Sequence, residues 1–157
     1  MTHLEALKNR ACEYLDSQNW NYDADDNVIV FGMSINSKLN SCRVMMIISE
    51  REIQTYALAP VKASPENYAD VVEFITRANF NLKLGKFEFD FGSGKVRFQT
   101  CLVCVDTVPG LKDVERAVDT SFLMLDHYGD GLIKNMMGYG NPEADIRAIE
   151  NDDSTVS

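Results

Sequence analysis

Residues 86–99 read Lys86-Phe-Glu-Phe-Asp-Phe-Gly-Ser-Gly-Lys-Val-Arg-Phe-Gln99 and predict a β-hairpin. Phenylalanines at every second position from Phe87 to Phe91 share one face of a strand. Gly92-Ser93 is expected to supply the positive φ of a two-residue turn. In this register charge pairs and apolar pairs fall on opposite faces, which supports the register independently of the turn. The expected pairs are Asp90 with Lys95, Glu88 with Arg97, Phe89 with Val96 and Phe87 with Phe98.

Upstream of the hairpin, residues 19–59 predict an antiparallel meander of four strands, because the connections are too short for parallel crossovers. A short first strand is expected at Trp20 to Tyr22, and a fourth at Ile53 to Leu58. Val28 to Ile35 and Cys42 to Ile48 are apolar on both faces, as is typical of central strands covered on two sides. The second face of these strands can be covered either by helices or by a second subunit.

Helix signals lie on both sides of the meander. Thr2 and Glu5 form a capping box for a helix over residues 3–16. Ser64-Pro65-Glu66 starts another helix, with a capping hydroxyl, a proline where no N–H is needed and an acid at the positive end of the dipole. This helix is expected to end near residues 79–81.

The hairpin is followed by a long amphipathic helix, which begins after Pro109-Gly110 and continues to Met137. Gly129-Asp130-Gly131 interrupts its pattern with two poor helix formers, so a kink or break is expected there. Asn141-Pro142 starts a last short helix that reaches about Glu150.

The chain is expected to form one α+β domain over residues 1–150, in the order α-ββββ-α-ββ-α, with an antiparallel sheet packed by helices. Its 157 residues are 45% apolar and 25% charged, which is close to an average globular protein. A domain of this size buries a sizeable core. Residues 151–157 are expected to form an acidic flexible tail.

The charge balance argues against nucleic-acid and membrane partners. Fifteen Lys and Arg against 24 Asp and Glu give a net charge of −9, which repels phosphates and anionic lipids. The first ten residues lack the basic start and apolar run of a signal peptide, and no stretch approaches the roughly 20 apolar residues that span a bilayer. We therefore expect a cytoplasmic protein.

The thiols do not predict a metal or disulfide site. Cys101 and Cys104 have CxxC spacing within a predicted strand, where residues three apart point to opposite faces. A zinc site needs further ligands, and the two histidines of the chain offer no second spaced pair. Together with Cys12 and Cys42, these residues are expected to be reduced and mostly buried.

Catalytic residues do not converge in the sequence. Asp126 and His127 are adjacent on a helix, so their side chains point about 100° apart and the acid does not orient the ring. Residues 126–131 begin like a calcium loop, but Tyr128 and Met137 stand where oxygen ligands are required. The sequence therefore predicts no enzyme activity, no cofactor and no bound metal.

Soft apolar side chains suggest a binding role instead. Methionines adapt to varied partners, and an apolar helix pairs with its own copy in a homodimer or accepts a peptide. Ordinary core packing is the alternative for most of these residues. The candidate partner-binding residues are Met33, Met45 and Met46 in the meander and Phe122, Met136 and Met137 on the long helix.

Three segments carry a family pattern of hydrophobicity and turns: Asn27-Val-Ile-Val-Phe-Gly32, Arg77-Ala-Asn-Phe-Asn-Leu-Lys-Leu-Gly-Lys-Phe-Glu-Phe-Asp90 and Gly94-Lys-Val-Arg-Phe-Gln-Thr100. With the order of elements over residues 15–138, they resemble the YbjN-type family of bacterial sensory-transduction regulators, whose fold resembles type III secretion chaperones. The resemblance implies a bacterial cytoplasmic homodimer with a regulatory or chaperone-like binding role, and no established catalytic residues.

The sequence thus favours a non-enzymatic protein that binds a protein or peptide partner through apolar surface. A small-molecule sensor or enzyme, with a pocket between the sheet and the last long helix, is the alternative.

Overall fold

A computed structural model describes the backbone of residues 1–156 and the side chains of residues 1–151. The elements are α1 (His3–Ser17), β1 (Asp23–Asp25), β2 (Val28–Ser34), β3 (Ser41–Ile48), β4 (Glu52–Lys62), a short 3-10 helix (Pro65–Asn67), α2 (Tyr68–Asn79), β5 (Lys86–Phe89), β6 (Lys95–Val103), α3 (Leu111–His127), α4 (Gly129–Met136) and α5 (Pro142–Val156).

The strands form one six-stranded sheet in the order β1-β2-β3-β4-β6-β5, and every neighbouring pair is antiparallel. The predicted α+β class, with a meander followed by a hairpin and packed by helices, is confirmed. After α2 the chain returns to the sheet through β5, the edge strand, and β6 then pairs with β4. The hairpin therefore extends the meander within the same sheet.

The hairpin has the predicted register but a different turn. Phe87 pairs with Phe98, and the Asp90 amide donates to the Lys95 carbonyl at 3.0 Å. The positive φ of 79° falls at Gly94 rather than at Gly92, so the prediction of a two-residue turn at Gly92-Ser93 was wrong. The loop is longer because the Asp90 carboxylate accepts hydrogen bonds from the Gly92 amide and the Ser93 hydroxyl.

The first strand lies three residues later than predicted, at Asp23–Asp25. Asn19 takes a positive φ of 59° and ends the α1 region, which turns Trp20 inward. Its indole stacks on Phe31 with centroids 5.5 Å apart and meets Tyr14 edge-on at 5.9 Å. The alternation of Trp20 and Tyr22 with polar residues therefore reflects packing of the indole against the core and does not mark a β-strand.

Two helix starts behave differently from each other. At α1 the predicted capping box is present, since the Glu5 amide donates to the Thr2 hydroxyl and the Thr2 amide donates to the Glu5 carboxylate. The Ser64 hydroxyl makes no capping hydrogen bond. The chain instead enters α2 through the 3-10 turn Pro65–Asn67, which the proline at its first position favours.

The predicted interruption near Gly129 is a break between α3 and α4. Both glycines there are buried and tightly packed. A Cβ on Gly129 would collide with the side chain of Ser37, and one on Gly131 would lie 2.8 Å from the Phe74 ring. These positions thus exclude side chains because the β2–β3 loop and α2 lie against the helix break.

Helix α5 begins at Pro142 as predicted but runs on to Val156, beyond the predicted end near Glu150. The acidic flexible tail at residues 151–157 remains a prediction. Ser157 and the side chains of residues 152–157 lie outside the described part of the chain.

Candidate partner-binding surfaces

The helices cover one face of the sheet and leave the other open. Along β3, alternate residues from Cys42 to Ile48 are buried, whereas those from Ser41 to Ile47 are exposed or partly exposed. Strand pairing extends both faces across the sheet. The surface called the open face here comprises Asp23 and Asp25 of β1, Val28, Val30 and Gly32 of β2, Arg43, Met45 and Ile47 of β3, Gln54, Tyr56 and Leu58 of β4, Lys86 and Glu88 of β5, and Arg97, Gln99 and Cys101 of β6.

The centre of the open face is apolar, although the outer face of a solvated antiparallel sheet is usually polar. Ile47 keeps 36% of its surface exposed, the other aliphatic side chains and Met45 are partly exposed, and Tyr56 is buried beneath Arg97. The central strands are therefore covered by helices on one side only within the subunit. The apolar side chains are Val28, Val30, Met45, Ile47, Tyr56 and Leu58.

Of the three strand methionines predicted to bind a partner, only Met45 lies on the open face. Met46 points to the helices and is fully buried. Met33 pairs with buried Cys42 on the helix side and is partly buried against the core.

The three helical candidates are scattered. Phe122 and Met136 belong to the buried core, where the Phe122 ring meets Trp20 edge-on at 6.0 Å. Met137 follows α4 and is 48% exposed. The six candidates do not form one surface.

Sequence reasoning missed most of the open face. A signal for this face is present in the sequence of β2. Val28 and Val30 lie on the opposite face of the strand from Ile29 and Phe31, and both sets are apolar. A strand that is apolar on both faces can be covered on both sides within one subunit, or on one side by its own subunit and on the other by a second chain. The sequence does not separate the two.

Charges of both signs flank the apolar centre. The Arg97 guanidinium lies 4.1 Å from the centroid of the Tyr56 ring, and its Nε donates to Glu88 at 2.7 Å. Within the described residues, Arg43 makes no ion pair. Acidic side chains of Asp23–Asp25 mark the β1 edge, at the opposite side of the sheet from Arg97.

A second surface is a cleft of about 470 Å³ between β6, the loop before β5, and α3. We call it the edge cleft. It exists because β5 pairs only with residues 96–99 of β6, so the last residues of β6 have no strand beside them on that side. Its lining comprises Lys83, Leu84, Gly85 and Lys86, Gln99 to Leu102, and Asp113, Arg116, Ala117 and Thr120.

The candidate thiols are separated as their spacing predicts. Cys101 is exposed on the open face and Cys104 is buried. Cys101 Sγ lies 3.6 Å from Glu52 Oε2, and partial burial followed by this carboxylate raises the pKa of the thiol. Both cysteines are free thiols, so the pair forms no disulfide.

The histidines lie apart from the thiol pair. His3 Nε2 is 2.6 Å from the Cys104 carbonyl oxygen, and His127 is exposed beside the Tyr128 ring. Among the residues whose side chains are described, no three His, Cys, Asp or Glu side chains come together as a metal site.

A partly buried tyrosine–carboxylate pair joins α1 to α3. The Tyr14 hydroxyl donates to Asp119 Oδ1 at 2.6 Å. Burial raises the pKa of Asp119, and burial followed by the hydrogen bond to Asp119 raises the pKa of Tyr14. Because the two groups satisfy each other, we assign them a packing role.

No protein-family model matches the chain, and no curated protein matches it in sequence. Among solved structures it matches one described as "YbjN, a putative transcription regulator from E. coli", with a TM-score of 0.55. The chain has a YbjN-like fold. The alignment covers 78% of this chain and 93% of YbjN at 11% identity, so the likeness is one of fold. It confirms the resemblance predicted from the order of elements.

Helices long and apolar enough to cross a membrane do not occur among residues 1–156.

Proposed function

We propose that the chain is a non-enzymatic, cytoplasmic regulatory or chaperone-like protein that binds a partner protein or peptide and works as a homodimer. The observation that carries this proposal is the apolar centre of the open face. The YbjN-like fold supports a regulatory role, since YbjN is described as a putative transcription regulator. With a net charge of −9, regulation through a protein partner is favoured over direct contact with nucleic acid.

We assign the open face to a second copy of the chain, first because of its size. Six strands about 4.8 Å apart and on average about seven residues of roughly 3.3 Å each give a flat face of roughly 670 Å². A standard interface buries about 800 Å² of accessible surface per partner. Pleating and side chains make the accessible area larger than the flat projection, so the face is of the size that a stable dimer requires.

Charge arrangement is the second argument for self-association. A twofold axis parallel to the strands places the β1 edge of one copy over the β5 and β6 side of the other. The acidic side chains of Asp23 and Asp25 then approach Lys86 and Arg97 of the second copy. The apolar centres meet between these two sets of complementary charges.

Light scattering on the purified chain tests the proposal, with an expected mass twice that of one chain. Ile47→Glu introduces a charge at the centre of the open face and is expected to give a folded monomer. Leu123→Glu is the matched control, because Leu123 is 55% exposed on α3 and away from the sheet. It should remain dimeric.

A wild-type chain that stays monomeric at millimolar concentration contradicts the dimer, as does an Ile47→Glu variant that stays dimeric. Circular dichroism on both variants separates loss of association from loss of folding.

A small-molecule sensor or enzyme is the second candidate, and the edge cleft is the feature that favours it. The cleft lies between the sheet and α3. Metabolites that raise the melting temperature of the wild-type chain, and fail to do so for a folded cleft variant such as Thr120→Trp, would favour this function over partner binding.

A further inference from the structure

The edge cleft exposes unused backbone hydrogen-bonding groups. Strand β6 runs to Val103, whereas its pairing with β5 stops at Gln99. On its other side β6 stays paired with β4 as far as Val103. Residues 100–103 therefore form a short free edge beside a groove.

The direction of the backbone groups along this edge follows from β5. Both the N–H and the C=O of Phe87 bond to the Asn79 side chain, so they point away from β6. In an antiparallel ladder the next pair, Lys86 with Gln99, then carries the hydrogen bonds. Because the pattern repeats every two residues, Cys101 and Val103 also direct their N–H and C=O groups toward the free edge.

Two contacts support this assignment independently. A Cβ built on Gly85 would collide with the Gln99 carbonyl oxygen, so that oxygen points toward the loop before β5. The Cys104 amide donates to the Arg51 carbonyl at 2.7 Å, on the β4 side of the strand. Odd-numbered residues near the end of β6 thus face the cleft.

The outermost strands at the two edges of the sheet are protected, unlike this stretch of β6. At one edge β1 is three residues long and carries two aspartates, and charges on short edge strands discourage further pairing. At the other edge, the Asn79 side-chain amide forms hydrogen bonds with the outward-pointing N–H and C=O of Phe87. Within the described residues, the outward-pointing N–H and C=O groups of Cys101 and Val103 have no hydrogen-bond partner.

The walls of the cleft indicate the chemistry of an occupant. Lys83, Lys86 and Arg116 line it against a single acid, Asp113, in a protein whose net charge is −9. Within the described residues, Lys83 and Arg116 form no ion pair. Leu84 contributes apolar surface to the same wall and is 58% exposed.

We propose that the edge cleft binds an extended, acidic segment of a partner protein, which adds to the sheet as a strand beside residues 101–103 of β6. Alternate residues of the segment face α3 and pack on Leu84, while its acidic residues pair with Arg116 and the two lysines. The inference rests on the proposed partner binding and names the chemistry of that partner. Its backbone contacts lie at the edge of the sheet, although Lys86, Gln99 and Cys101 also border the open face.

Binding is tested by amide chemical shifts of the full chain with a synthetic hexapeptide, Asp-Val-Glu-Val-Asp-Val, blocked at both ends. We expect the Cys101 and Val103 amides to shift. The same peptide with its alternate backbone nitrogens methylated, in each of the two registers, keeps every side chain. The register that loses its strand-pairing N–H groups should bind at least about tenfold more weakly, because two or more backbone hydrogen bonds are lost.

Protein variants give the reciprocal test. Cys101→Pro removes the outward N–H without disturbing the ladder to β4, since proline is tolerated where its nitrogen faces away from the sheet. Cys101→Val keeps that N–H and is the matched control. Arg116→Glu should weaken binding of the acidic peptide and favour Lys-Val-Lys-Val-Lys-Val.

Three results would overturn the inference: no shift at Cys101 or Val103 with millimolar peptide, equal binding of all the methylated peptides, or equal binding of the acidic and basic peptides to the wild-type chain. Equal binding of the methylated peptides would instead identify a side-chain or small-molecule pocket. The peptides are also titrated into the monomeric Ile47→Glu variant, because Lys86, Gln99 and Cys101 border both surfaces. Binding there, together with the mass measured by light scattering, lets the dimer and the cleft succeed or fail separately.

Discussion

The side-chain amide of Asn79 takes the place of a neighbouring strand for Phe87. Its Nδ2 donates to the Phe87 carbonyl at 3.0 Å, and its Oδ1 accepts from the Phe87 amide at 2.7 Å. A residue at the end of α2 thereby closes the outer edge of β5 and fixes the helix to the hairpin. Phe87 itself is buried and meets Phe98 edge-on at 4.9 Å.

Asn79→Ala should destabilise the fold by about 1–3 kcal/mol, because a partly buried N–H and C=O both lose their partner. Asn79→Asp keeps an acceptor for the Phe87 amide but sets a carboxylate oxygen against the Phe87 carbonyl oxygen, so it should lose at least as much stability as alanine above the pKa of the carboxylate. Urea unfolding of the three proteins measures the order. Equal stability of Asn79→Ala and wild type would show that water replaces the amide at no cost.

Short-range chemistry explains which parts of the fold were predictable. The hairpin register depends on adjacent pairs such as Glu88 with Arg97, and the α1 cap depends on Thr2 and Glu5, so a few neighbouring residues suffice. The turn was missed because the Asp90 side chain competes with the backbone for the loop amides. Trp20 was misplaced because its environment is set by Phe31, which lies on β2.

The candidate surfaces were harder to predict than the elements. Met46 and Met45 are adjacent in sequence and equally apolar, yet only the pairing of β3 with its neighbours decides which one reaches the open face. The edge cleft depends on the difference in length between β5 and β6, and on the position of α3. Periodicity along the chain does not report such relationships.

The two glycines of the α3–α4 break should be intolerant of side chains. Gly131→Ala is expected to cost about 1–3 kcal/mol, because its methyl group meets the Phe74 ring in a packed core and overpacking forces neighbours to shift. Gly32→Ala is the control, since a Cβ there meets nothing within 4 Å. Thermal unfolding should show Gly131→Ala melting below wild type and Gly32→Ala at or above it. Reversal of that order would contradict the packing described for the break.

The Cys42 thiol should make the fold sensitive to alkaline pH. Burial, followed by the charge of Asp126, raises the pKa of Cys42 to about 11 from an ordinary 9.0. Between those pH values the folded state keeps a proton that the unfolded chain has lost, so the free energy of unfolding falls as pH rises. The full loss is about 3 kcal/mol and is complete only above pH 11.

Urea unfolding from pH 8 to pH 11 measures this dependence. Tyrosines also titrate at the alkaline end, so the informative quantity is the difference between wild type and Cys42→Ala. The variant lacks the thiol and should lose less stability over the same range, whatever its starting value. Parallel curves for the two proteins would rule out Cys42 as a source of the pH dependence.

In the monomeric Ile47→Glu background, Cys101 should be the first thiol to react with an alkylating reagent, because it is exposed, whereas Cys12 is partly buried and Cys42 and Cys104 are buried. Its rate at neutral pH is held down by partial burial and by Glu52, whose carboxylate lies 3.6 Å from Sγ and raises the pKa of the thiol. Glu52→Gln removes that charge, so a larger fraction of Cys101 becomes thiolate and alkylation by iodoacetamide should be faster at pH 7.5. Glu50→Gln makes the same charge change in the adjoining turn, where no contact with Cys101 is present, and should leave the rate near that of the Ile47→Glu parent. Mass spectrometry of partly labelled protein locates the modified residue. Labelling of Cys42 or Cys104 ahead of Cys101, or equal rates for the two glutamine variants, would show that the Glu52 carboxylate does not control this thiol.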